Sequence, residues 1–341
     1  MNESTGAGIR PAPRLALVVP CLNEERALPE TMRRLHDVLA DLSSRELVRN
    51  DSFALYVDDG SRDSTWTLIA ARRQKDTTVA GVKLARTVGQ QKALLAGMQA
   101  AHAVSDCVVS LDADLQDDES SIEEFVLRYC QGNDIVYGVR DCRASDTWFK
   151  RWSSGSFYRV ARAMGIDLIP DHADYRLLSR RALSQLGRFE EVNLFLRGII
   201  PLLGLPSACV YYQRRARVAG ESKYSLARLF ALAMEGITSF SVAPLRFIGA
   251  VGLTLAPLGL AGGVAALACW SAGLAIPGWV AILVSVWFLG GVQLAAVGLL
   301  GEYLGKTYQE TKHRPLFVVE AQLEPRCLVN ESSVVRPRGA L

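Results

Sequence analysis

From Phe247 to Gly301 the chain carries no Asp, Glu, Lys, Arg or His. No other feature limits the fold so tightly, because the run exceeds the ~20 apolar residues that one membrane-spanning helix needs. "AIPG" at Ala275–Gly278 interrupts it with a Pro-Gly turn. The expectation is a transmembrane hairpin over 245–301, with spans at Leu245–Leu267 and Trp279–Gly301. Both are rich in the Gly and Ala that let helices pack closely in lipid. A buried hairpin in a soluble core is the competing reading, and the length of the uncharged run argues against it. Arg246 stands at the outer end of the first span, and Lys306, Lys312 and Arg314 follow the second, while the turn is uncharged. The positive-inside rule then places both ends in the cytoplasm, giving a multi-pass protein of the inner (cytoplasmic) membrane. Just upstream, 225–244 is expected to form an interfacial amphipathic helix, since "SLARLFALAMEGITSF" spaces apolar residues helically.

Ahead of the hairpin, apolar runs alternate with amphipathic ones. Leu15–Pro20, Phe53–Asp58, Val79–Leu84, Cys107–Leu111 and Ile135–Val139 read as strands. Ala27–Leu42, Ser64–Gln74, Gln90–Ala103 and Ile122–Cys130 read as helices. The class expected is α/β, a mostly parallel sheet flanked by helices. The domain would occupy 15–224, with a disordered lead over 1–14 and a cytoplasmic tail over 302–341. The lead has no apolar segment of signal-peptide type. Seven scattered cysteines without a CxxC pair point to reduced thiols and a cytoplasmic main domain. A net charge of +3 gives no ground for nucleic acid as a partner. In the tail, "LFVVE" at Leu316–Glu320 reads as an exposed edge strand that can pair between subunits of a homo-oligomer.

Open sheets bind ligands beyond the carboxyl ends of their strands. "CLNEE", "DDGS", "ART", "DADLQ" and "RDCR" follow the five strands in turn, so they point to one cleft. Neither a GxGxxG after the first strand nor a GxxxxGK[ST] is present, which argues against dinucleotide and P-loop sites. Asp112 and Asp114 stand two apart at a strand end, and Gln116 adds an amide oxygen. This hard-oxygen set suits Mg²⁺ or Mn²⁺ holding a diphosphate leaving group. Asp117, Asp118 and Glu119 instead precede a helix, where they read as complement to its dipole. Arg86, Arg140, Arg143, Lys150, Arg151 and the run Arg214–Tyr224 supply cationic groups for phosphate, against a background of general attraction to anionic lipid.

"VVPCLNEE", "VDDGS", "LDADLQ", "YGVR", "ADYRLLSRR", "NLFLRG", "RVAGESKY" and "GLLGEYLGK" occur in that order. With the hairpin, they make the chain resemble the membrane-anchored polyprenyl-phosphate glycosyltransferases of the inverting GT-A type, over Leu15 to Val319. The family includes dolichyl-phosphate mannose synthases and bacterial undecaprenyl-phosphate glycosyltransferases. The resemblance implies a GT-A-like fold and roles for individual residues. Pro20, Leu22, Glu24, Asp58 and Asp59 would line the nucleotide pocket, and Arg86 would join them at the nucleotide sugar. Asp112, Asp114 and Gln116 would hold the metal and donor diphosphate. Arg140, Arg217 and Lys223 would contact phosphates, and Lys150, Arg151 and Ser154 would receive the lipid phosphate. Asp174 and Arg176 would face the sugar or the reacting centre, placing Asp114, Asp174 and Arg140 at the catalytic core. Thr87 replaces a usual Asn, Gln90 a frequent His, Ala173 a usual Gly, and "DDE" a proline-containing turn; none of these removes a metal ligand.

The implied reaction moves a hexose from a nucleotide sugar to polyprenyl phosphate with inversion. UDP-glucose is the first donor, because "ADYRLLSRR" is similar to the glucosyl-transferring branch. GDP-mannose, UDP-N-acetylhexosamine and an amino-arabinose donor are alternatives. A phosphate monoester with second pKa ~6 is mostly dianionic at neutral pH, so the acceptor needs no strong base. It needs positioning and charge screening instead. Asp174 is then expected to orient ligands rather than take a proton. Two rivals differ in kind. A processive polysaccharide synthase would carry QxxRW, whereas "FKRW" lacks the Gln. A catalytically inactive membrane-anchored scaffold would not need the intact Asp112, Asp114 and Gln116.

Overall fold

Runs that are apolar on both faces become the interior strands of one sheet. The computed structural model describes residues 10–140, 172–189, 191, 196–213, 243–271 and 278–325. β1 (Leu15–Cys21), β2 (Phe53–Asp58), β3 (Val79–Leu84), β4 (Cys107–Ser110) and β5 (Ile135–Arg140) alternate with α1 (Leu28–Ser44), α2 (Thr65–Lys75), α3 (Gln90–His102) and α4 (Ser121–Cys130). All nine lie within two residues of the sequence expectation. Leu15 through Val19 have no solvent exposure, as a strand covered on both faces requires. α1 turns Leu28, Met32, Leu35, Leu39 and Leu42 inward, a single helical stripe.

β6 (His172–Ser179), α5 (Arg180–Leu186), α6 (Leu196–Leu202), β7 (Ser207–Tyr212) and β8 (Val319–Leu323) complete the unit. The eight strands are ordered β7-β5-β6-β4-β1-β2-β3-β8. β1 to β5 and β7 share one direction, while β6 and β8 run against it. β6 enters antiparallel between β4 and β5, with Arg176 opposite both Ser110 and Tyr137. Its amino end therefore lies beside the carboxyl ends of its neighbours. This reversed strand delivers Asp174 to the end of the sheet where the parallel strands have their carboxyl ends.

Two expectations about the termini change. The lead is docked from Arg10 onward. Its amide donates to Cys130 O at 2.9 Å, its guanidinium pairs with Asp134 at 2.9 Å, and it lies over the Tyr129 ring at 4.7 Å. The tail strand lies slightly later than expected and pairs with β3 of its own sheet, with Lys83 bound to Glu320 at 2.8 Å. That intramolecular pairing takes up one edge of the segment expected to serve a second subunit.

A second unit contains α7 (Ala243–Ser271) and α8 (Gly278–Thr311), which end and begin on either side of the segment bearing Pro277. Among the described residues one helical segment, Phe288–Thr311, is long and apolar enough to cross a membrane, and Leu245–Leu255 is a shorter apolar segment. Where two spans are expected, one segment meets the requirement. Apart from its last residues, which begin α7, the expected interfacial helix lies outside the described residues.

Candidate active site

The loops after β1 and β2 are stitched together by their own polar side chains. Asn23 sits at φ 56°; its amide donates to Ser61 Oγ at 3.0 Å, and its Oδ1 accepts from the Arg62 amide at 2.9 Å. The Glu24 amide donates to Thr65 Oγ1 at 3.0 Å. Pro20, Leu22 and Glu24 are thereby brought beside the Asp58–Asp59 turn, with Leu22 41% exposed. Asp58 is fully buried; one carboxylate oxygen caps the Ser61 amide at 3.0 Å, and the other has no hydrogen-bond partner.

Asp59 reaches across to the loop after β3. Its two oxygens accept from the Val88 and Gly89 amides at 2.7 and 2.9 Å. Burial pushes its carboxyl up, opposed by those two amides. Gly60, at φ +70°, lies so close to this loop that a Cβ would meet the Thr87 N at 2.7 Å and the Arg86 carbonyl carbon at 2.8 Å. Only glycine fits such an approach in that backbone region. Arg86 itself is exposed on the same loop.

Gly89 starts α3, whose first turn carries two glutamines into the acidic centre. Gln90 Nε2 donates to Asp112 Oδ1 at 2.7 Å, and Gln91 Nε2 donates to Asp174 Oδ2 at 3.1 Å. Gln91 Oε1 also accepts from the Leu196 amide at 3.2 Å. A chain of contacts thus runs from Asp59 through α3 to both carboxylates.

After β4 the backbone turns sharply. Leu115 adopts φ 55°, rare for a bulky side chain, and Thr31 donates to Ala113 O at 2.8 Å. The turn presents Asp112 and Asp114, with Gln116 buried just behind. Burial, then the charges of Asp117, Asp174 and Asp114, push the Asp112 carboxyl up to about 7, with Arg140 opposing them. Such crowded negative charge is what a cation relieves. Among the described residues no group of three His, Cys, Asp or Glu side chains forms a metal cage. The oxygens of Asp112, Asp114 and Gln116 suit a hard cation that completes its coordination from substrate phosphate and water.

Asp174 is 6% exposed and clamped by two arginines. Arg197 meets it with two parallel bonds, Nε to Oδ1 and Nη2 to Oδ2, both 3.1 Å, and Arg176 Nη2 binds Oδ1 at 2.5 Å. Burial acts to raise its pKa, but Arg176 and Arg197 together hold it down to about 2. Arg176 has no solvent exposure, and its guanidinium faces Asp174 and the Leu196 carbonyl. It therefore meets Asp174 directly, whereas it was expected to face the sugar or the reacting centre. Asp117 also departs from its expected role as helix complement. It is 4% exposed and accepts from the Tyr212 hydroxyl at 2.6 Å. Asp118 caps the Ser120 amide at 3.2 Å ahead of α4, while Glu119 reaches α1 and pairs with Arg34 at 3.2 Å.

The structure gathers Asp58, Asp59, Asp112, Asp114, Gln116, Arg140 and Asp174 at one end of the sheet. Lys150, Arg151, Ser154, Arg217 and Lys223, with Arg143, lie outside the described residues. Sequence reasoning gave no role to Gln91, Arg197 or Tyr212. The one signal for Arg197 is its place in "NLFLRG", and for Gln91 its place after the glycine of "VGQQ".

Residues 16–187 match the sequence profile described as glycosyl transferase family 2. The chain is 48% identical over 311 residues to the uncharacterized glycosyltransferase YkoT of Bacillus subtilis, covering 91% of this chain and 92% of that protein. It is 36% identical over 309 residues to the bactoprenol glucosyl transferase of Shigella phage SfV, covering 90% of this chain and 98% of that protein. The prophage bactoprenol glucosyl transferase homolog of Escherichia coli is 35% identical, with the same coverage.

Proposed function

The chain belongs to glycosyl transferase family 2, and from that premise we propose that it transfers a hexose, glucose first, from a nucleotide sugar to polyprenyl (undecaprenyl) phosphate. The observation that carries this reading is the convergence at one sheet end of Asp59 and the Asp112–Asp114 pair, joined through the first turn of α3. A nucleotide held near Asp58 and Asp59 would lay its diphosphate toward Asp112, Asp114 and Gln116. The acceptor assignment draws support from the relatives named bactoprenol glucosyl transferases, which align over 90% of this chain, well beyond the family profile.

Asp112, Asp114 and Gln116 would hold Mg²⁺ or Mn²⁺, which supplies charge neutralisation of the nucleoside diphosphate leaving group. Arg140 faces the same cluster as a cation for phosphate, and Arg197, fixed by Asp174, is a second. The lipid phosphate is already dianionic at neutral pH and attacks the anomeric carbon without surrendering a proton. Asp174, ionised and held by two arginines, orients the site and supplies no base. Attack from the face opposite the nucleotide inverts the anomeric centre. Lys150, Arg151, Ser154, Arg217 and Lys223 remain the proposed contacts for the lipid phosphate and diphosphate. The apolar segments of α7 and α8 form the proposed membrane hairpin that brings domain and lipid together, with the domain on the cytoplasmic face.

The test is a transfer assay with full-length protein in detergent, divalent cation, short-chain polyprenyl phosphate and labelled donors. UDP-glucose is expected to give organic-soluble label. A higher rate with GDP-mannose, UDP-N-acetylhexosamine or an amino-arabinose donor would reassign the sugar. Nucleotide binding without lipid product from any donor would refute the transferase reading in favour of a scaffold.

A further inference from the structure

Asp117 precedes α4 by four residues, where a carboxylate ordinarily serves the helix dipole. Its side chain instead turns inward. Oδ1 accepts from the Tyr212 hydroxyl at 2.6 Å, and Oδ2 is buried without a hydrogen-bond partner. Tyr212 stands beside Arg140 in the register of β7 on β5. Arg140 Nε donates to the Tyr212 hydroxyl oxygen at 3.2 Å, and Arg140 Nη2 lies 3.6 Å from Asp117 Oδ1. The bonds run one way, Arg140 to Tyr212 to Asp117, so each donor polarises the next.

The hydroxyl at the centre is held by aromatic packing. The Tyr212 ring meets Tyr175 edge-on at 5.2 Å, and Tyr175 packs tilted on Phe125 at 4.6 Å. The Tyr175 hydroxyl in turn donates to the Asp118 carbonyl at 2.9 Å. Arginine alone is a flexible arm; here its guanidinium is bound to a hydroxyl that the sheet fixes. A cationic group fixed before the ligand arrives binds phosphate without the cost of ordering its own side chain.

We propose that Asp117 and Tyr212 are positioning residues that aim the Arg140 guanidinium at the donor's diphosphate. The proposal rests on the reading of Arg140 as a phosphate contact. It concerns residues outside the metal set, and it explains why a carboxylate is buried next to a phosphate site that it would otherwise repel. Asp117 acts on the donor only through Tyr212 and Arg140.

A double-mutant cycle on diphosphate binding tests this, using full-length protein in detergent with Mg²⁺ and with UDP and GDP as probes. Calorimetry on wild type, Tyr212→Phe, Arg140→Gln and the double variant gives the coupling. Tyr212→Phe is expected to weaken the bound diphosphate about fivefold to tenfold, and Arg140→Gln about tenfold to a hundredfold. In the Arg140→Gln background, Tyr212→Phe should cost less than about twofold, because its effect travels through the missing guanidinium. Asp117→Asn supplies a second cycle should Tyr212→Phe not fold. Equal costs in both backgrounds overturn the proposal, as does a lowered Tm with unchanged diphosphate affinity, or no binding of either probe to wild type. Since the readout is binding, a coupled cycle without lipid product from any donor would leave this inference standing and refute the transfer reading instead.

Discussion

Asp174→Asn separates a clamp from a base. In the native protein the carboxyl is held at about 2, against a usual value near 4, by Arg176 and Arg197 in spite of burial. That difference is equivalent to about 2–3 kcal/mol of native-state stabilisation. Because the folded pKa is the lower one, this contribution is complete above about pH 4 and is lost as pH falls toward 2. The Asn variant loses it at neutral pH and also leaves the fully buried Arg176 facing a neutral amide. Removing one partner of a buried pair costs about 3–5 kcal/mol. For a domain of this size that lowers Tm by roughly 10 °C. The assay is thermal unfolding in detergent at pH 7, with a pH–rate profile measured on both proteins. We expect the Asn variant to be less stable and slower, and the acid limb of kcat/KM to stay where it is in wild type. An unchanged Tm would show that Asp174 is not a charged clamp. An acid limb near neutral pH that disappears in the variant would make it a base and refute the reasoning.

Other perturbations address other parts of the site. Asp114→Asn should abolish metal-dependent turnover with a Tm within about 2 °C of wild type, and unchanged activity would remove Asp114 from the metal set. Asp59→Asn keeps one acceptor for two amides, so we expect about 1–3 kcal/mol less stability and weaker UDP binding, read by melting and calorimetry. Gly60→Ala forces a Cβ within 2.8 Å of the Arg86–Thr87 backbone at positive φ, and a Tm loss of several degrees is expected. Membrane association is checked by fractionation. The protein should remain with membranes through a high-salt wash and leave them in detergent, whereas release by salt alone would mean that no span is inserted.

What could be read from the sequence follows strand direction. β1 to β5 are apolar along most of their length, with polar residues mainly at their carboxyl ends, because parallel strands are covered on both faces, and their limits were legible to within two residues. β6 was not, because "HADYRLLS" interrupts the apolar pattern with His, Asp, Tyr and Arg. β7 was missed for another reason: its residues alternate between exposed and buried at a sheet edge, over only six positions. Asp112 and Asp114 were legible as a strand-end pair. Asp117 was not, since a carboxylate ahead of a helix has a local explanation, and only a tyrosine 95 residues away shows otherwise. Arg197 and Gln91 gain their meaning from Asp174, a contact set by tertiary packing and by no local spacing.

The most direct test of the account is the identity of the nucleophile. Full-length protein given labelled UDP-glucose and divalent cation is offered polyprenyl phosphate, the matching polyprenyl alcohol, or water alone. The account predicts organic-soluble label with the phosphate only, in a product that resists phosphomonoesterase because the phosphate has become a diester. Label on the alcohol, or free glucose released equally in all three reactions, would contradict it.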